Sequence, residues 1–444
     1  MKRAKNTQEF VEAFLRRLRA RGIKFCLLRN YNRKTARLEG RDVDILVEGK
    51  KTGQIRKAVK ETAEDFGMET LFKNKGFSHQ YYLLKDNREF IVLDLLKGIY
   101  WWGNQVIPSA YLLEKAVQDG NFTILKGGHQ AFVNWVFPFL SGGTLKEKYR
   151  KEVAGLSPTE EFREFAEVAF GPGLAEEIIT HLEREDFAGL KNLRRRARLR
   201  VLARNAKNPT GLGGRFVSTL YFVLREKIRP RGVWAAAVGP DGSGKTTLLQ
   251  HLRENLEGTV FPRVVLFHWR PSLLPSLSQL FTGEDSGSRE ENIKNPHGAK
   301  PAGPLSSLFR LLYYSMDFLL GYFFRVRRKL YQGNLVLFDR YFHDLMVDPE
   351  RSRISIPWIL PGIIARLLPH PQIIFYLGTD PEVVYKRKGE LPREKIREMT
   401  EKYDKICRKF KYCVKLDSSK RPEELARLAE KRIVEKWKRR LKAL

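Results

Sequence analysis

A glycine-rich stretch in the middle of the chain carries its clearest chemical signal. Residues 239–247 read GPDGSGKTT and contain the complete pattern G-x-x-x-x-G-K-[ST]. An apolar run typical of a buried strand, residues 233–238, precedes it, and residues 248–252 have the pattern of a helix opening. In such a unit, backbone N–H groups and the helix dipole bind phosphate. The residues expected to contact a nucleoside triphosphate are Gly239, Asp241, Gly242, Ser243, Gly244, Lys245, Thr246 and Thr247.

Two side chains of this stretch suit the chemistry of a triphosphate. The Lys245 ammonium reaches the β- and γ-phosphates, and the Thr246 hydroxyl is a ligand for Mg²⁺. The alternative is a chance glycine turn ahead of a helix, but the strand before it and the helix after it argue against chance. The sequence therefore predicts binding of ATP together with Mg²⁺.

The composition indicates a multidomain protein with an anionic partner. Of the 444 residues 42% are hydrophobic, which is enough for two or three domains with real cores. The chain has 82 Lys and Arg against 51 Asp and Glu, a net charge of +31. Phosphorylated substrates, a nucleic acid or an anionic membrane face would match this charge. A basic surface of the thermophile kind is the alternative.

The cysteines and the apolar segments indicate a cytoplasmic location. Cys26, Cys407 and Cys413 form neither a C-x-x-C pair nor a metal-ligand spacing, so we expect no disulfide framework. The first residues lack the apolar run of a signal peptide. The most apolar stretch, residues 311–324, contains Asp317 and is shorter than the ~20 residues that span a bilayer. We expect no segment to cross a membrane.

The C-terminal half has the rhythm of an α/β domain. Apolar strands recur at residues 264–267, 335–338, 373–377 and 413–416, with helix-length segments between them. This order predicts a parallel sheet with helices on both faces. Residues 282–305 are rich in glycine and proline, which predicts a mobile lid or a disordered insert.

An ordered series of short motifs follows in residues 230–444. The motifs are Asp241 in the glycine-rich loop, Arg270-Pro271, the strand end Asp339-Arg340-Tyr341, residues 380–389 (DPEVVYKRKG) and Asp417. In this order they resemble thymidylate kinase, a nucleoside monophosphate kinase with a P-loop. The resemblance implies that Asp241 binds the acceptor sugar and that Arg270 meets the acceptor phosphate. Phosphoryl transfer needs such converging cations at the strand ends.

The resemblance also implies a catalytic set. Asp339 would hold Mg²⁺ with Thr246, and Arg340 would bridge the donor and acceptor phosphates. Because Gly242 replaces an arginine present in some thymidylate kinases, a lid cation must come from Arg387, Lys388 or Arg393. The alternative for each of these is a solvated helix face. The implied catalytic residues are Lys245, Arg340 and Arg387, and the implied acceptor contacts are Asp241, Arg270, Tyr341 and Asp344.

Two departures put thymine recognition in doubt. An ungapped alignment from Asp339 places Phe318 where the family has the arginine that reads the thymine ring, and Pro349 where it has a glutamine over the base. Losing both polar groups removes most discrimination for the base. Residues 339–353 instead hold four acids, a histidine and arginines, which suit a polyhydroxylated, charged acceptor. The acceptor stays open between thymidylate and a sugar- or glycan-related phosphate, and Asp344 and Asp348 could also serve only to cap or bridge helices.

The N-terminal part holds a second set of acids. Asp42 and Asp44 alternate along a strand and so point to one face, and Asp94 lies inside another apolar strand. Such a trio can hold two Mg²⁺ ions against a triphosphate. Residues 20–150 resemble the polymerase-β-like nucleotidyltransferases in this respect. They depart from that family at Arg29-Asn30, where it has Gly-Ser or Gly-Gly, and a chance D-x-D pair is the alternative.

The pattern predicts three regions. Residues 1–105 form an α+β nucleotidyltransferase-like domain, with helices at residues 10–18 and 54–66 and strands at residues 25–28, 43–47, 80–84 and 89–95. Residues 106–229 are a helical region and basic linker, and residues 230–444 are the P-loop domain. The break falls near residues 208–230, because Asn208-Pro-Thr-Gly-Leu-Gly-Gly214 interrupts the helical pattern.

The linker itself is strongly basic. Residues 191–231 contain 13 Lys or Arg and one acid, Glu226, and an apolar run follows at residues 216–224. A basic amphipathic helix of this kind fits an anionic membrane surface. The alternatives are a nucleic-acid groove, which the clustering of aromatics with aliphatics disfavours, and a helix packed between domains.

These observations favour an enzyme. The leading hypothesis is a phosphotransferase of thymidylate kinase type with an appended nucleotidyltransferase-like domain, a pairing that resembles fused bacterial proteins linked to surface-polysaccharide synthesis. Its location would be cytoplasmic, with peripheral contact to the inner face of the membrane as an option, and a homodimer is one possible state. The alternatives are a regulatory or scaffold protein with degenerate nucleotide sites and a nucleic-acid-processing ATPase. The latter would need a water-activating acid that we do not find.

Overall fold

A computed structural model shows two compact units, residues 1–225 and residues 226–443. The structure describes residues 2–32, 35, 37–38, 40, 42–74, 78–85, 89–143, 145, 147–206, 209–275, 277, 303–357, 359–388 and 391–442. Most of the predicted lid, residues 282–302, and the predicted turn Asp86-Asn87 lie outside these residues. Residues 106–229, predicted as a separate region, belong mostly to the first unit.

A seven-stranded mixed sheet forms the centre of the first unit. Its strands lie in the order β10-β11-β1-β4-β7-β6-β5, and β2-β3 and β8-β9 form two small hairpins. The strands are β1 Phe25–Leu27, β2 Tyr31–Asn32, β3 Arg37–Leu38, β4 Asp42–Val47, β5 Glu69–Asn74, β6 Ser78–Lys85, β7 Glu89–Leu96, β8 Gly98–Trp101, β9 Asn104–Pro108, β10 Val117–Asp119 and β11 Phe122–Ile124.

Two helices pack against this sheet, and the remaining helices of the unit form a helical layer. The first two, α1 Lys2–Ala20 and α2 Thr52–Asp65, bury their apolar residues against the sheet, as the spacing of residues 10–18 predicts. The others follow along the chain, and all of them except α9 contribute to a second core cluster. They are α3 Ser109–Glu114, α4 Gly127–Ser141, α5 Glu147–Leu156, α6 Glu160–Phe170, α7 Pro172–Glu183, α8 Gly189–Ala206 and α9 Pro209–Ile228.

The basic helix α8 is part of this core. Leu193 and Val201 are buried, and Arg204 donates to the carbonyl oxygens of Gln105 and Val106. The next helix, α9, begins at Pro209 and runs without interruption to Ile228, so residues 209–214 do not interrupt the helical pattern as predicted. Proline at a first helical position is preorganised for the helix and does not break it. This helix also crosses the division between the two units.

The second unit contains a five-stranded sheet in the order β13-β14-β12-β15-β16, with every neighbouring pair parallel. All six residues of β12 are buried, so both faces of the sheet are covered. The prediction of a parallel sheet covered on both faces is therefore confirmed for this half of the chain. The strands are β12 Val233–Val238, β13 Val264–His268, β14 Leu335–Asp339, β15 Ile373–Gly378 and β16 Cys413–Asp417.

Eight helical segments surround this sheet in the described residues. Helix α11 continues through the π-helical turn Tyr322–Val326 into α12, and the turn Glu350–Ser352 is a 3-10 helix. The helices are α10 Lys245–Leu256, α11 Pro304–Gly321, α12 Arg327–Tyr331, α13 Asp344–Val347, α14 Ile359–Leu367, α15 Pro381–Lys388, α16 Arg393–Lys409 and α17 Pro422–Lys442.

One covalent link corrects the cysteine prediction. Cys407 at the end of α16 and Cys413 at the start of β16 form a disulfide, with their Cα atoms 5.1 Å apart. The short turn between the helix and the strand brings the two thiols together, a proximity that spacing rules for metal or redox motifs do not capture. Cys26 is buried and unpaired. No helix among the described residues is long and apolar enough to cross a membrane.

Candidate functional site

The glycine-rich loop connects β12 to α10, as the sequence predicts. Its glycines have positive φ angles, 148° at Gly239, 85° at Gly242 and 94° at Gly244. A Cβ atom at Gly239 would lie 2.9 Å from Ser243 Oγ and 3.1 Å from the Leu377 carbonyl oxygen. The tight turn therefore requires glycine and aims backbone N–H groups at the start of α10, the geometry that binds phosphate.

Lys245 rests against this loop. Its Nζ donates to the carbonyl oxygens of Gly239 at 2.9 Å and Pro240 at 2.7 Å, and lies 3.9 Å from Asp241 Oδ1. Burial, and next the Arg340 guanidinium, lowers the pKa of Lys245 from 10.5 to about 7. The ammonium is thus held at the helix N-terminus, where the helix dipole attracts an incoming phosphate.

Thr246, in the first turn of α10, meets Asp339 at the end of β14. The parallel register of β12 and β14 places Asp339 beside Ala237, next to the loop. The Thr246 hydroxyl donates to Asp339 Oδ2 at 2.9 Å, and this contact is open to solvent. A hydroxyl and a carboxylate oxygen at this separation are ligands of the kind that Mg²⁺ takes beside a triphosphate.

Arg340 follows in a strained backbone conformation. Its φ angle is 75°, and its N–H donates to the Ala237 carbonyl oxygen at 2.9 Å. The buried guanidinium donates to Asp241 and, at 2.7 Å, to Asp344 Oδ2. Burial lowers the pKa of Arg340, but Asp344, Tyr403 and Asp241 outweigh it, and the net shift is upward. Strain of this kind is typical of functional sites.

Asp241 is bracketed by two guanidinium groups. Arg351 donates through Nη1 to Asp241 Oδ2, opposite the bond from Arg340. Burial raises the pKa of Asp241, but Arg340, Lys245 and Arg351 together hold it below its ordinary value. The sequence places Arg351 in a polar cluster without giving it a role, because only the fold brings residues 241 and 351 together.

The structure corrects one acceptor contact and redefines another. Tyr341 is 1% exposed, and its hydroxyl donates to the Pro369 carbonyl oxygen, so its ring is part of the core. Asp344 is also buried, accepts from Arg340 and from the Tyr403 hydroxyl at 3.0 Å, and has a pKa raised by burial. Both side chains are buried after the end of β14, and Asp344 fixes the Arg340 guanidinium.

Arg270 is held in place by the loop that follows β13. Its Nη1 lies 3.2 Å from the fully buried carboxylate of Asp317, and its guanidinium also donates to the Pro275 carbonyl oxygen at 3.3 Å. Trp269 and Ser272 on either side have left-handed φ angles of 61° and 53°. Arg270 therefore fastens this loop, and its predicted contact with an acceptor phosphate would compete with these bonds.

The two positions that replace the thymine readers carry no polar group toward a ligand. Phe318 is 0% exposed and packs edge-on against Tyr341 and Phe342. Pro349 precedes the 3-10 turn that carries Arg351. Phe318 thus packs in the hydrophobic core, and Pro349 begins a turn of the backbone.

One of the cations predicted to cover the nucleotide contacts the glycine-rich loop. Arg387 on α15 donates through Nη1 to the Gly242 carbonyl oxygen at 3.5 Å. Arg393 instead pairs with Glu382 at 3.5 Å and lies over the Tyr385 ring. Of the predicted lid cations with described side chains, Arg387 is the one at the glycine-rich loop.

The acids of the first unit do not form the predicted metal trio. Asp44 and Asp94 are partners in the parallel register of β4 and β7, so the predicted proximity of the two strands is present. However, Arg29 Nη1 lies 3.8 Å from Asp44 Oδ2, and Gln80 donates to Asp94 Oδ2 at 3.3 Å. Asp42 lies at the exposed start of β4. Within the described residues, no three His, Cys, Asp or Glu side chains are placed to hold a metal ion.

The loop of the second unit fits a Mg²⁺–nucleotide. Ser243 Oγ, in the turn before α10, is buried without a partner among the described residues, and a phosphate oxygen would satisfy it. Thr246 and Asp339 would hold the metal ion, and phosphate and water oxygens would complete its shell. The parallel sheet and this loop define an α/β unit with a P-loop.

Solved structures include distant relatives of this chain. A crystal structure of thymidylate kinase from Ehrlichia chaffeensis is similar at 18% sequence identity and a TM-score of 0.32, over 46% of this chain and 98% of that one. No family model matches the chain, and no curated protein matches it.

Proposed function

We propose that the second unit is an ATP- and Mg²⁺-dependent phosphotransferase of thymidylate kinase type. The observation that carries this proposal is the contact between the Thr246 hydroxyl and the Asp339 carboxylate, 2.9 Å apart beside a glycine-rich loop. A glycine turn that arose by chance would not be expected to place a hydroxyl against an acid from the neighbouring strand. This pairing supplies the metal side of a phosphoryl-transfer site.

Each residue of the site then has a role in transfer. Bound Mg²⁺–ATP supplies the phosphoryl group. Lys245 leaves the carbonyl oxygens that it now contacts and neutralises the triphosphate, while Arg387 covers it from the lid. Arg340, fixed by Asp344, stabilises negative charge between donor and acceptor. The chemistry requires positioned cations more than it requires a general base.

The acceptor is proposed to be an anionic, hydroxyl-rich molecule. Asp241 suits an acceptor hydroxyl, and Arg351, which is 27% exposed and faces Asp241, suits its phosphate. No polar group stands where the thymine readers would be, which favours a sugar- or glycan-related phosphate over thymidylate. A role in surface-polysaccharide synthesis, and a nucleotidyltransferase-like first unit, belong to this proposal.

A second candidate function is a nucleotide-binding regulator. The resting contacts of Lys245 with the loop and the ion pair of Arg29 with Asp44 favour it, because both occupy groups that catalysis would use. In this case the protein would bind ATP and change conformation without transferring phosphate.

Incubation of the whole protein with labelled ATP, Mg²⁺ and a panel of nucleoside monophosphates and sugar phosphates separates the two candidates. The phosphotransferase proposal expects label on a sugar phosphate and weak labelling of thymidylate. Saturable ATP binding with no labelled acceptor would favour the regulator. Rapid labelling of thymidylate would show that residues other than 318 and 349 read the base.

A further inference from the structure

The helix that runs from Pro304 to Tyr331 is apolar on both of its sides. One side, with Leu311 and Phe318 at 0% exposure, packs on the sheet. The other side is exposed and equally apolar, whereas the solvent side of a surface helix is normally polar. Its exposed apolar residues are Leu305, Leu308, Phe309, Leu312, Met316, Phe323 and Phe324.

The exposure on this side is large and regularly spaced. Leu305 is 85%, Leu312 54% and Phe324 66% exposed. The spacing of three or four residues along α11 keeps one stripe on one side of the helix. The π-helical turn at Tyr322–Val326 inserts an extra residue per turn, and Phe323 and Phe324 are both exposed there. A continuous apolar surface of this length marks an interaction site.

The charges of this helix have a single sign at its surface. Its only acid, Asp317, is fully buried and paired with Arg270. The cations are Arg310, Arg325, Arg327, Arg328 and Lys329. Arg327 lies between the Phe323 and Tyr331 rings, at 5.7 Å and 5.6 Å from their centroids, so its stem follows the apolar surface while its charge stays at the edge.

Helix α14 repeats the same composition close by. Its exposed residues Ile359, Ile363 and Leu367 lie four residues apart, and its one charged residue is Arg366. The segment leading into α14 is fastened to the start of α11, because the Ser355 N–H donates to Ser307 Oγ at 3.0 Å. Two neighbouring helices thus expose aliphatic side chains and cations without any acid.

We propose that the exposed side of residues 304–331, together with α14, docks the protein on an anionic lipid bilayer. An apolar stripe ending in a cluster of cations is the pattern of a helix that lies in the interface, with its apolar side chains below the headgroups and its cations among the phosphates. The inference goes beyond the proposed phosphotransferase activity, since none of these residues touches the glycine-rich loop.

Charge favours a lipid surface over a second copy of the chain. Another copy would present the same helix with the same cations and no acid to pair with them, so pairing would bring like charges near each other. Anionic headgroups supply the complementary charge. The basic helix α8 is a weaker candidate for this role, because its apolar residues Leu193 and Val201 are committed to the core.

Flotation of the whole protein with vesicles tests the proposal. The vesicles contain phosphatidylglycerol and phosphatidylcholine, and vesicles of phosphatidylcholine alone serve for comparison. The test variant is Leu305→Glu/Leu312→Glu. The matched control is Leu199→Glu/Leu202→Glu on α8, which adds the same charge at two other exposed leucines. Circular dichroism and light scattering report the fold and the oligomeric state of each.

The expected result is co-flotation with the anionic vesicles only, weakened about tenfold or more by the α11 variant and much less by the α8 variant. Three outcomes would overturn the proposal: no flotation of the parent protein, an equal loss in both variants, or a loss confined to the α8 variant. A parent dimer that becomes monomeric in the α11 variant, without vesicle binding, would assign the surface to a second copy. ATP-dependent transfer measured without vesicles should be unchanged, so failure here is distinct from failure of the proposed function.

Discussion

Three cations meet at the Asp241 carboxylate, and each is held differently. Arg340 is buried and fixed by Asp344, Lys245 is buried against backbone carbonyl oxygens, and Arg351 is partly exposed on a short turn. A fixed cation suits charge that develops in the transition state. A cation on an exposed turn suits a group that arrives and leaves, so in the proposed transfer Arg340 would serve catalysis and Arg351 would bind the acceptor.

Replacing Lys245 with Met should lower kcat by about 10²–10³, the usual effect of removing one preorganised charge. The Met side chain keeps the length of the buried stem, so the fold should be retained. Initial rates with the best acceptor give the measurement, and Lys402→Met on the outer side of α16 is the control. A rate equal to that of the parent protein would contradict the proposed role.

The same residue should make stability depend on pH. In the unfolded chain the Lys245 ammonium keeps its proton up to its ordinary pKa of 10.5, whereas the folded chain releases it at about 7. Between these values the unfolded state binds more protons, so the free energy of unfolding should rise with pH. Denaturant unfolding at several pH values should show this rise in the parent and a smaller one in Lys245→Met. Equal slopes would mean that Lys245 keeps its proton in the folded protein.

Arg351→Ala should weaken acceptor use far more than ATP use. A lost charge-assisted hydrogen bond is worth about 1.5–3 kcal/mol, so kcat/KM for the acceptor should fall roughly 10- to 100-fold. The matched control is Lys395→Ala, which removes a cation that pairs with Glu350 in the same turn but does not touch Asp241. An identical loss in both variants would indicate general electrostatics instead of a specific contact.

At the scale of elements, the backbone conformation of the loop between β12 and α10 requires glycine at position 239. Gly239→Ala would place a Cβ atom 3.1 Å from the Leu377 carbonyl oxygen at a φ of 148°, so the turn must shift. We expect a loss of about 1–3 kcal/mol of stability and of most nucleotide affinity. Gly258→Ala, at a φ of 67° with no atom within 4 Å, isolates the effect of strain alone. Calorimetric titration with ATP should find weakened binding in the first variant and ordinary binding in the second.

The elements that sequence predicts best are those with long local patterns. The strands of the parallel sheet and the loop at residues 239–247 follow from apolar runs and motif spacing, and the structure has them where expected. The short strands β10 and β11 were missed in a region predicted as helical, because three residues carry too little periodicity. The pairing of Arg351 with Asp241 and that of Arg270 with Asp317 are contacts over long sequence separations that no local pattern encodes. The disulfide joins two cysteines only six residues apart, but their spacing does not reveal the turn that brings them together.

At the scale of the whole molecule, the net charge of +31 acts on every anionic partner at once. Such a field speeds the encounter with a phosphorylated acceptor without altering the bound geometry. It also favours an anionic bilayer, where the apolar residues of α11 then add a contact that salt does not screen. Attraction by charge and attachment by apolar contact are thus separable properties of the protein.

Raising the ionic strength should show how much the net charge of the protein contributes to kcat/KM. Between about 0.01 M and 0.15 M salt the screening length falls from about 30 Å to about 8 Å, so long-range steering is largely lost. At saturating Mg²⁺–ATP, kcat/KM for an anionic acceptor should fall roughly tenfold, whereas kcat should change little because the bound contacts are short. Steady-state rates across this salt range provide the measurement, with the slow hydrolysis of ATP by water as the uncharged-acceptor control. If kcat fell in parallel with kcat/KM, salt would be acting on the buried cations of the site, and the charge of the whole molecule would not guide the acceptor.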